Sequence, residues 1–153
     1  MKSSLIIVLL LASFVFAVPL DKRQAPPNPP SCNGFRITSP VIAYYNYTEG
    51  QCYQVSFDKG ASSVTFVTKV DLFKEADSTF VENEFTGNVD ASTQIATPYF
   101  NLKIDGLPTG TYYYNVTAIT SVPGESCFFR TVPFVGIVNP NSPPVQCPPY
   151  PPS

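Results

Sequence analysis

Four cysteines, Cys32, Cys52, Cys127 and Cys147, stand in a chain of 153 residues that contains no histidine. Without histidine, every Ser–His and Cys–His nucleophile arrangement is excluded. The cysteines also form no Cys-x-x-Cys pair, so a zinc set is not available to them. In a secreted chain an even count reads first as disulfides. Five of the carboxylates, Glu75, Asp77, Glu82, Glu84 and Asp90, gather in one polar stretch. A glycosidase-style carboxylate pair is formally open to them, yet no motif sets an acid against a base. Their simpler reading is a solvated acidic edge that discourages edge-to-edge strand pairing. No Asp-x-Asp-x-Asp-Gly loop supports calcium. The expectation is a chain that is not an enzyme and takes no metal or cofactor.

Tyrosines offer a second kind of chemistry. In "AYYNYTEG" (43–50), Tyr44, Tyr45 and Tyr47 surround the glycosylation sequon Asn46-Tyr47-Thr48. Exposed tyrosines on a loop stack on sugar rings or anchor a protein contact. The competing reading packs one or two of them inward, and a glycan on Asn46 would partly cover the patch. A second sequon, Asn115-Val116-Thr117, follows three consecutive tyrosines in "GLPTGTYYYNVTAI" (106–119). An N-glycan needs an exposed acceptor. If this stretch is a strand, Asn115 facing water puts Tyr113, Thr117 and Ile119 outside and Tyr112, Tyr114, Val116 and Ala118 in the core.

The elements that position these residues read as strands. "CYQVSF" (52–57) alternates, with Tyr53, Val55 and Phe57 on one face. "SVTFVTKVDLF" (63–73) puts Val64, Phe66, Val70 and Leu72 on one face and Lys69 and Asp71 on the other. "YFNLKI" (99–104) turns Phe100, Leu102 and Ile104 inward and Asn101 and Lys103 outward. Period-2 alternation in β-branched and aromatic stretches predicts half-buried strands. "FRIT" (35–38) and "FFRTVPFVGIV" (128–138) bracket them, with Pro133 demoting the latter to an edge strand or a bulge. The polar stretch 74–96 is expected to hold one or two short edge strands, near 79–84 and 93–96. About seven short strands with regular turn signals and no helical period predict an all-β sandwich.

"DGLPTGTYY" then looks like the corner of immunoglobulin-like and fibronectin-III-like sandwiches, where a tyrosine hydroxyl bonds back to the backbone. Tyr112 or Tyr113 fits that part. In such a sandwich the first and last strands run the same way. Cys32 precedes the first strand and Cys127 opens the last, which brings them to one end. Cys52 and the tail bearing Cys147 meet at the other. Four cysteines allow three connectivities. This geometry favours Cys32–Cys127 and Cys52–Cys147, because bridged Cα atoms must come within about 7 Å.

The ends read as addresses and arms. Lys2 and the apolar run 5–16, with Val15 and Ala17 at the −3 and −1 positions before Val18, predict a secretory signal peptide over residues 1–17. The run is too short for a membrane span. Residues 18–23 form a short pro-segment ending in Lys22-Arg23, a dibasic pair that resembles the sites cut by fungal secretory endoproteases. Residues 24–31 make a Pro-rich arm, 32–138 the sandwich, and 139–153 a Pro-rich tail, both ends extended and polyproline-like. Residues 24–153 carry six Lys/Arg against ten Asp/Glu, a net charge of about −4. That balance argues against nucleic acid and anionic membranes.

Taken together, "FRITSP" (35–40), Gly50 before an alternating strand, "VTFVTKVDLFK" (64–74) and "LPTGTYYYNV" (107–116) are similar to the Ig-like extracellular domain of fungal cell-wall proteins, the yeast β-1,6-glucan-synthesis and Ser/Thr-rich GPI-anchored types. The resemblance covers most of 35–136. It departs at Phe57, where the family usually carries Trp, and in lacking a Ser/Thr-rich stalk and an anchor signal. It implies a non-enzymatic, wall-associated or secreted fungal module that binds a cell-wall polysaccharide or an extracellular protein, and it transfers no catalytic residue. The alternatives are a secreted effector that binds a host or partner protein, and a lipid-binding sandwich.

Overall fold

The three longest strands are three stretches of eleven residues: "VTFVTKVDLFK", "FVENEFTGNVD" and "GTYYYNVTAIT". A computed structural model describes residues 27–104 and 106–149 of the chain. Its strand segments in chain order are β1 (Arg36–Ser39), β2 (Asn46–Thr48), β3 (Cys52–Tyr53), β4 (Ser56–Asp58), β5 (Val64–Lys74), β6 (Phe80–Asp90), β7 (Phe100–Asn101), β8 (Gly110–Thr120), β9 (Ser126–Arg130) and β10 (Phe134–Ile137). No α-helix forms among the described residues; one 3-10 turn spans Pro30–Cys32. The fold is all-β, with mixed sheets in an arrangement consistent with a β-sandwich.

Strand β5 lies between β6 and β8, antiparallel to both. The far edge of β8 is shared by β9 and β10, and β10 pairs in parallel with β2. Together these six strands form one sheet. Two short antiparallel pairs, β1 with β4 and β3 with β7, make the opposing layer. Between the layers, Val55, Val64, Val67, Val70, Leu72, Leu102, Ile104, Tyr114, Val116 and Phe134 are fully buried. Each such apolar side chain contributes about 1.5–3 kcal/mol on leaving water.

Ten segments appear where about seven strands were expected, because strands break where the chain changes partner. "CYQVSF" divides into β3, which pairs with β7, and β4, which pairs with β1. Its inward parity survives the break, with Val55 and Phe57 buried. "FFRTVPFVGIV" divides around Pro133 into β9 and β10. Proline brings no N–H to a ladder, and just before it Thr131 closes the pairing with Tyr114: its N–H donates to the Tyr114 carbonyl at 2.9 Å and its hydroxyl accepts from the Tyr114 N–H at 3.0 Å.

Three expectations are corrected. Phe66 does not share the inner face with Val64. The register of β5 shifts between Val64 and Phe66 and again between Val67 and Lys69, so Phe66 points outward and Val67 is buried. A bulge adds one residue and reverses parity. The polar stretch forms one long edge strand, β6, and residues 93–96 supply only a bridge from Ala96 to Ser56. Of "YFNLKI", only Phe100–Asn101 pairs as a strand, although Phe100, Leu102 and Ile104 are buried as expected.

The tyrosine-to-backbone hydrogen bond and the inward–outward parity of β8 are present. The Tyr112 hydroxyl donates to the Pro108 carbonyl at 2.9 Å. Tyr112, Tyr114, Val116 and Ala118 point inward, with Asn115, Thr117 and Ile119 outward. Tyr113 faces outward yet is buried, because the Arg130 guanidinium lies 3.7 Å from its ring centroid and Phe73 stacks beside it.

Both disulfides join the pairs that the sandwich geometry favoured, Cys32–Cys127 and Cys52–Cys147. The described parts of the Pro-rich ends lie against the body. Asn28 brackets the backbone of Phe128, accepting from its N–H at 2.7 Å and donating to its carbonyl at 2.8 Å. In the tail, Val145 N–H donates to the Gly50 carbonyl at 3.0 Å, and the Asn101 amide donates to the Val145 carbonyl at 2.9 Å. Gly50 has φ of +77°, and a Cβ there would stand 2.9 Å from the Pro144 backbone, so the tail's path depends on glycine.

Candidate functional site

Residues 40–45 carry the chain from β1, in the smaller layer, to β2 at the edge of the six-stranded sheet. The crossing begins at buried Pro40, behind a cis Ser39–Pro40 bond. Two backbone hydrogen bonds then hold its far end. Tyr44 N–H donates to the Pro133 carbonyl at 2.7 Å, and Val135 N–H donates to the Tyr45 carbonyl at 2.9 Å. Tyr44 sits at φ of +59°, a left-handed conformation that a non-glycine residue keeps only where its surroundings fix it.

On this braced loop the apolar side chains face water. Val41 is 61% exposed, Ile42 63%, and Tyr44 and Tyr45 58% each. A cleft of about 180 Å³ opens between the loop and Tyr47, lined by Ser39, Pro40, Val41, Ile42 and Tyr45. A second, of about 330 Å³, runs beneath Val41 towards Phe128 and Arg130.

The three candidate tyrosines separate into two roles. Tyr44 and Tyr45 are exposed surface rings. Tyr47 is not on the loop but in β2, where it stacks on Tyr53 at 4.1 Å between centroids and on Phe134 at 4.8 Å. Burial pushes the Tyr47 hydroxyl pKa above its ordinary value, and the neighbouring Tyr53 and Tyr45 add to the rise. Tyr53 in turn accepts from the Thr48 N–H at 2.7 Å. Tyr47 belongs to the packed end of the sandwich, and Tyr45 meets it edge-on at 6.0 Å.

Asp71 pairs with Lys69 at 3.0 Å and accepts from the Asn83 amide at 2.9 Å. Glu84 is buried, and its Oε1 accepts from Lys103 N–H at 2.9 Å. Glu75 lies 3.9 Å from Arg130. Among the described residues no group of three or more carboxylate, Cys or His side chains is placed to hold a metal ion, and no cysteine is free. Compared with models of known protein families and with curated proteins, the chain matches none.

Two disulfides point to an oxidising compartment, and among the described residues no helix is long and apolar enough to cross a membrane. Asn46 is exposed and Asn115 half-buried. In β2 the parity places Asn46 on the opposite face from Tyr47. Lys22 and Arg23, like the whole of 1–26, lie outside the described residues.

Sequence reasoning missed Val41 and Ile42. Their signal was present: "VIAYY" is a run of apolar side chains with neither strand alternation nor a turn residue, directly after a proline. Such a run on a surface crossing is an exposed apolar patch.

Proposed function

We propose that this chain is a secreted, non-enzymatic binding or structural module of the fungal cell wall or extracellular space. In this reading it is an immunoglobulin/fibronectin-III-type sandwich that engages a polysaccharide through Tyr44 and Tyr45. The observation that carries the reading is the pair of tyrosine rings held in water on a loop whose backbone is fixed at both Tyr44 and Tyr45. A side chain whose backbone is already fixed has less conformational entropy to lose when a sugar face stacks on its ring. The fold type is supported by the tyrosine corner, and by the parallel pairing of the first edge strand β2 with the last strand β10.

The test is co-sedimentation of the secreted protein with insoluble β-glucan, chitin and mannan-bearing walls, against cellulose. Saturable pelleting with one polymer is expected. No pelleting with any of them removes the polysaccharide reading. A second reading, an effector that docks on a host or partner protein, is favoured by one observation: Val41 and Ile42 are exposed beside the tyrosines. Aliphatic side chains add little to sugar stacking but bury well against a protein. The lipid-binding alternative draws no support from the interior, where Tyr112, Tyr114, Phe57 and Phe134 fill the space between the layers.

A further inference from the structure

Asn46 and Asn115 lie on the same face of the molecule. In β8 the odd positions Thr111, Tyr113 and Asn115 point away from the core, and in β10 Val135 does likewise, opposite Thr111. Asn46 is the register partner of Val135 across β2 and β10. Both sequon asparagines therefore project from the outer face of the six-stranded sheet, one at its edge and one on a central strand.

That face carries apolar side chains in water. Phe66 is 36% exposed, Ile119 37%, Phe128 39% and Phe80 53%. Phe66 pairs with Ile119 across β5 and β8, and Phe128 stands opposite Thr117, the hydroxyl residue of the second sequon. Asn115 is thus a diagonal neighbour of Phe128, at the ~7–8 Å typical of such pairs.

Asn28, Asn83 and Asn101 are engaged in hydrogen bonds to the fold, at 2.7–2.9 Å. Among the described residues the side-chain amides of Asn46 and Asn115 make none. Modification of either sequon amide therefore costs the fold no hydrogen bond.

We propose that the outer face of the six-stranded sheet is covered by the chain's own N-linked sugars, with the Asn115 glycan lying over Phe128 and the Phe66–Ile119 pair. The co-reactant is an oligosaccharide carried on a lipid pyrophosphate. The Asn Nδ2 bonds to the anomeric carbon, the carbon–oxygen bond to the pyrophosphate breaks, Nδ2 gives up one proton and the lipid pyrophosphate leaves. The apolar faces of the first sugars then pack on the Phe128 ring, and the distal sugars hold a second sheet away. The open edge of β9 is guarded separately by Asn28. The inference rests on passage through a secretory pathway, and not on polysaccharide binding by the 40–45 loop.

The experiment expresses the full chain through a glycosylating secretory host, maps site occupancy by glycopeptide mass, and measures sedimentation velocity over a hundredfold concentration range. The expected result is sugar on both asparagines and a monomer throughout. Asn115→Gln, and separately endoglycosidase trimming of the folded glycoprotein, are each expected to produce reversible self-association with an unchanged circular dichroism spectrum. Adding Phe128→Ser to Asn115→Gln should restore the monomer. An unoccupied Asn115 in the secreted protein overturns the proposal. So does a bare protein that stays monomeric at every concentration, or association that Phe128→Ser fails to reverse. Retained polymer pelleting by Asn115→Gln keeps this outcome separate from that of the binding loop.

Discussion

The Tyr112 hydroxyl reaches back four residues to the Pro108 carbonyl at 2.9 Å, and this bond closes the corner from which the central strand β8 departs. The ring of Tyr112 is buried against Gly136, where an added Cβ would come within 2.8 Å of it. Tyr112→Phe keeps the ring and loses the bond. Because Pro108 is exposed, water can take over its carbonyl, so the expected cost is about 1 kcal/mol. Equilibrium urea unfolding measures it.

Gly136→Ala tests the same contact from the other side. The added methyl meets Ile104 Cδ1 at 2.6 Å and the Tyr112 ring. Both neighbours are held in a filled core, so the expected destabilisation is about 1–3 kcal/mol from overpacking. A cost within error of zero would mean that this end of the core has slack.

The two disulfides are expected to differ in effect. Each joins residues 95 apart in sequence, and native disulfides in small secreted domains are worth about 2–5 kcal/mol. Cys32 and Cys127 are themselves core residues, so replacing both by Ala also removes packing. Replacing Cys52 and Cys147 releases the tail but leaves the core filled. Cys32→Ala/Cys127→Ala should therefore lower the unfolding midpoint further than Cys52→Ala/Cys147→Ala, as read by thermal denaturation of the two double variants.

With no histidine and no free thiol, no side chain titrates between the carboxylates and the phenols. Stability should be flat from about pH 5 to about pH 9. Three carboxyls are held below their ordinary pKa: Asp58 by the Gly60 N–H and then Arg36, Asp77 by Thr79, and Asp90 by Ser92. Their contribution is present above the unfolded value, about 3.9, and is lost as pH falls from there through the lowered folded values. Burial, with nearby Glu84, raises the Tyr114 phenol well above its usual value. Its contribution is complete below about pH 10 and disappears as pH rises towards the folded pKa. Tyr114→Phe should move the alkaline limb of a pH–melting curve upward and leave the acid limb in place.

Much of the fold was legible because alternation survives local irregularity. The inward set of β8 followed from Asn115 facing water, and the disulfide pairing followed from which end of a sandwich each cysteine reaches. What failed was parity across bulges. Nothing in "SVTFVTKV" marks the extra residues that turn Phe66 out and Val67 in, since every position is compatible with a strand. The long edge strand β6 was hidden for another reason. Its Glu82 and buried Glu84 point towards the interior side, so its polar composition resembles a loop. At the candidate site the tyrosine cluster was found, but Tyr47 was grouped with Tyr44 and Tyr45. The spacing could not reveal that Tyr47 enters β2 and meets Tyr53 and Phe134, which are six and 87 residues distant.

That division of the tyrosines is the most direct test of the account. Binding isotherms on the polymer that pellets the wild-type protein, taken with melting curves, should be measured for Tyr44→Ala/Tyr45→Ala and for Tyr47→Ala. The account predicts at least a tenfold loss of affinity with an unchanged melting temperature for the first. For Tyr47→Ala it predicts a lowered melting temperature, from the lost stacking on Tyr53 and Phe134. Full retention of polymer binding by the Tyr44→Ala/Tyr45→Ala protein would contradict it.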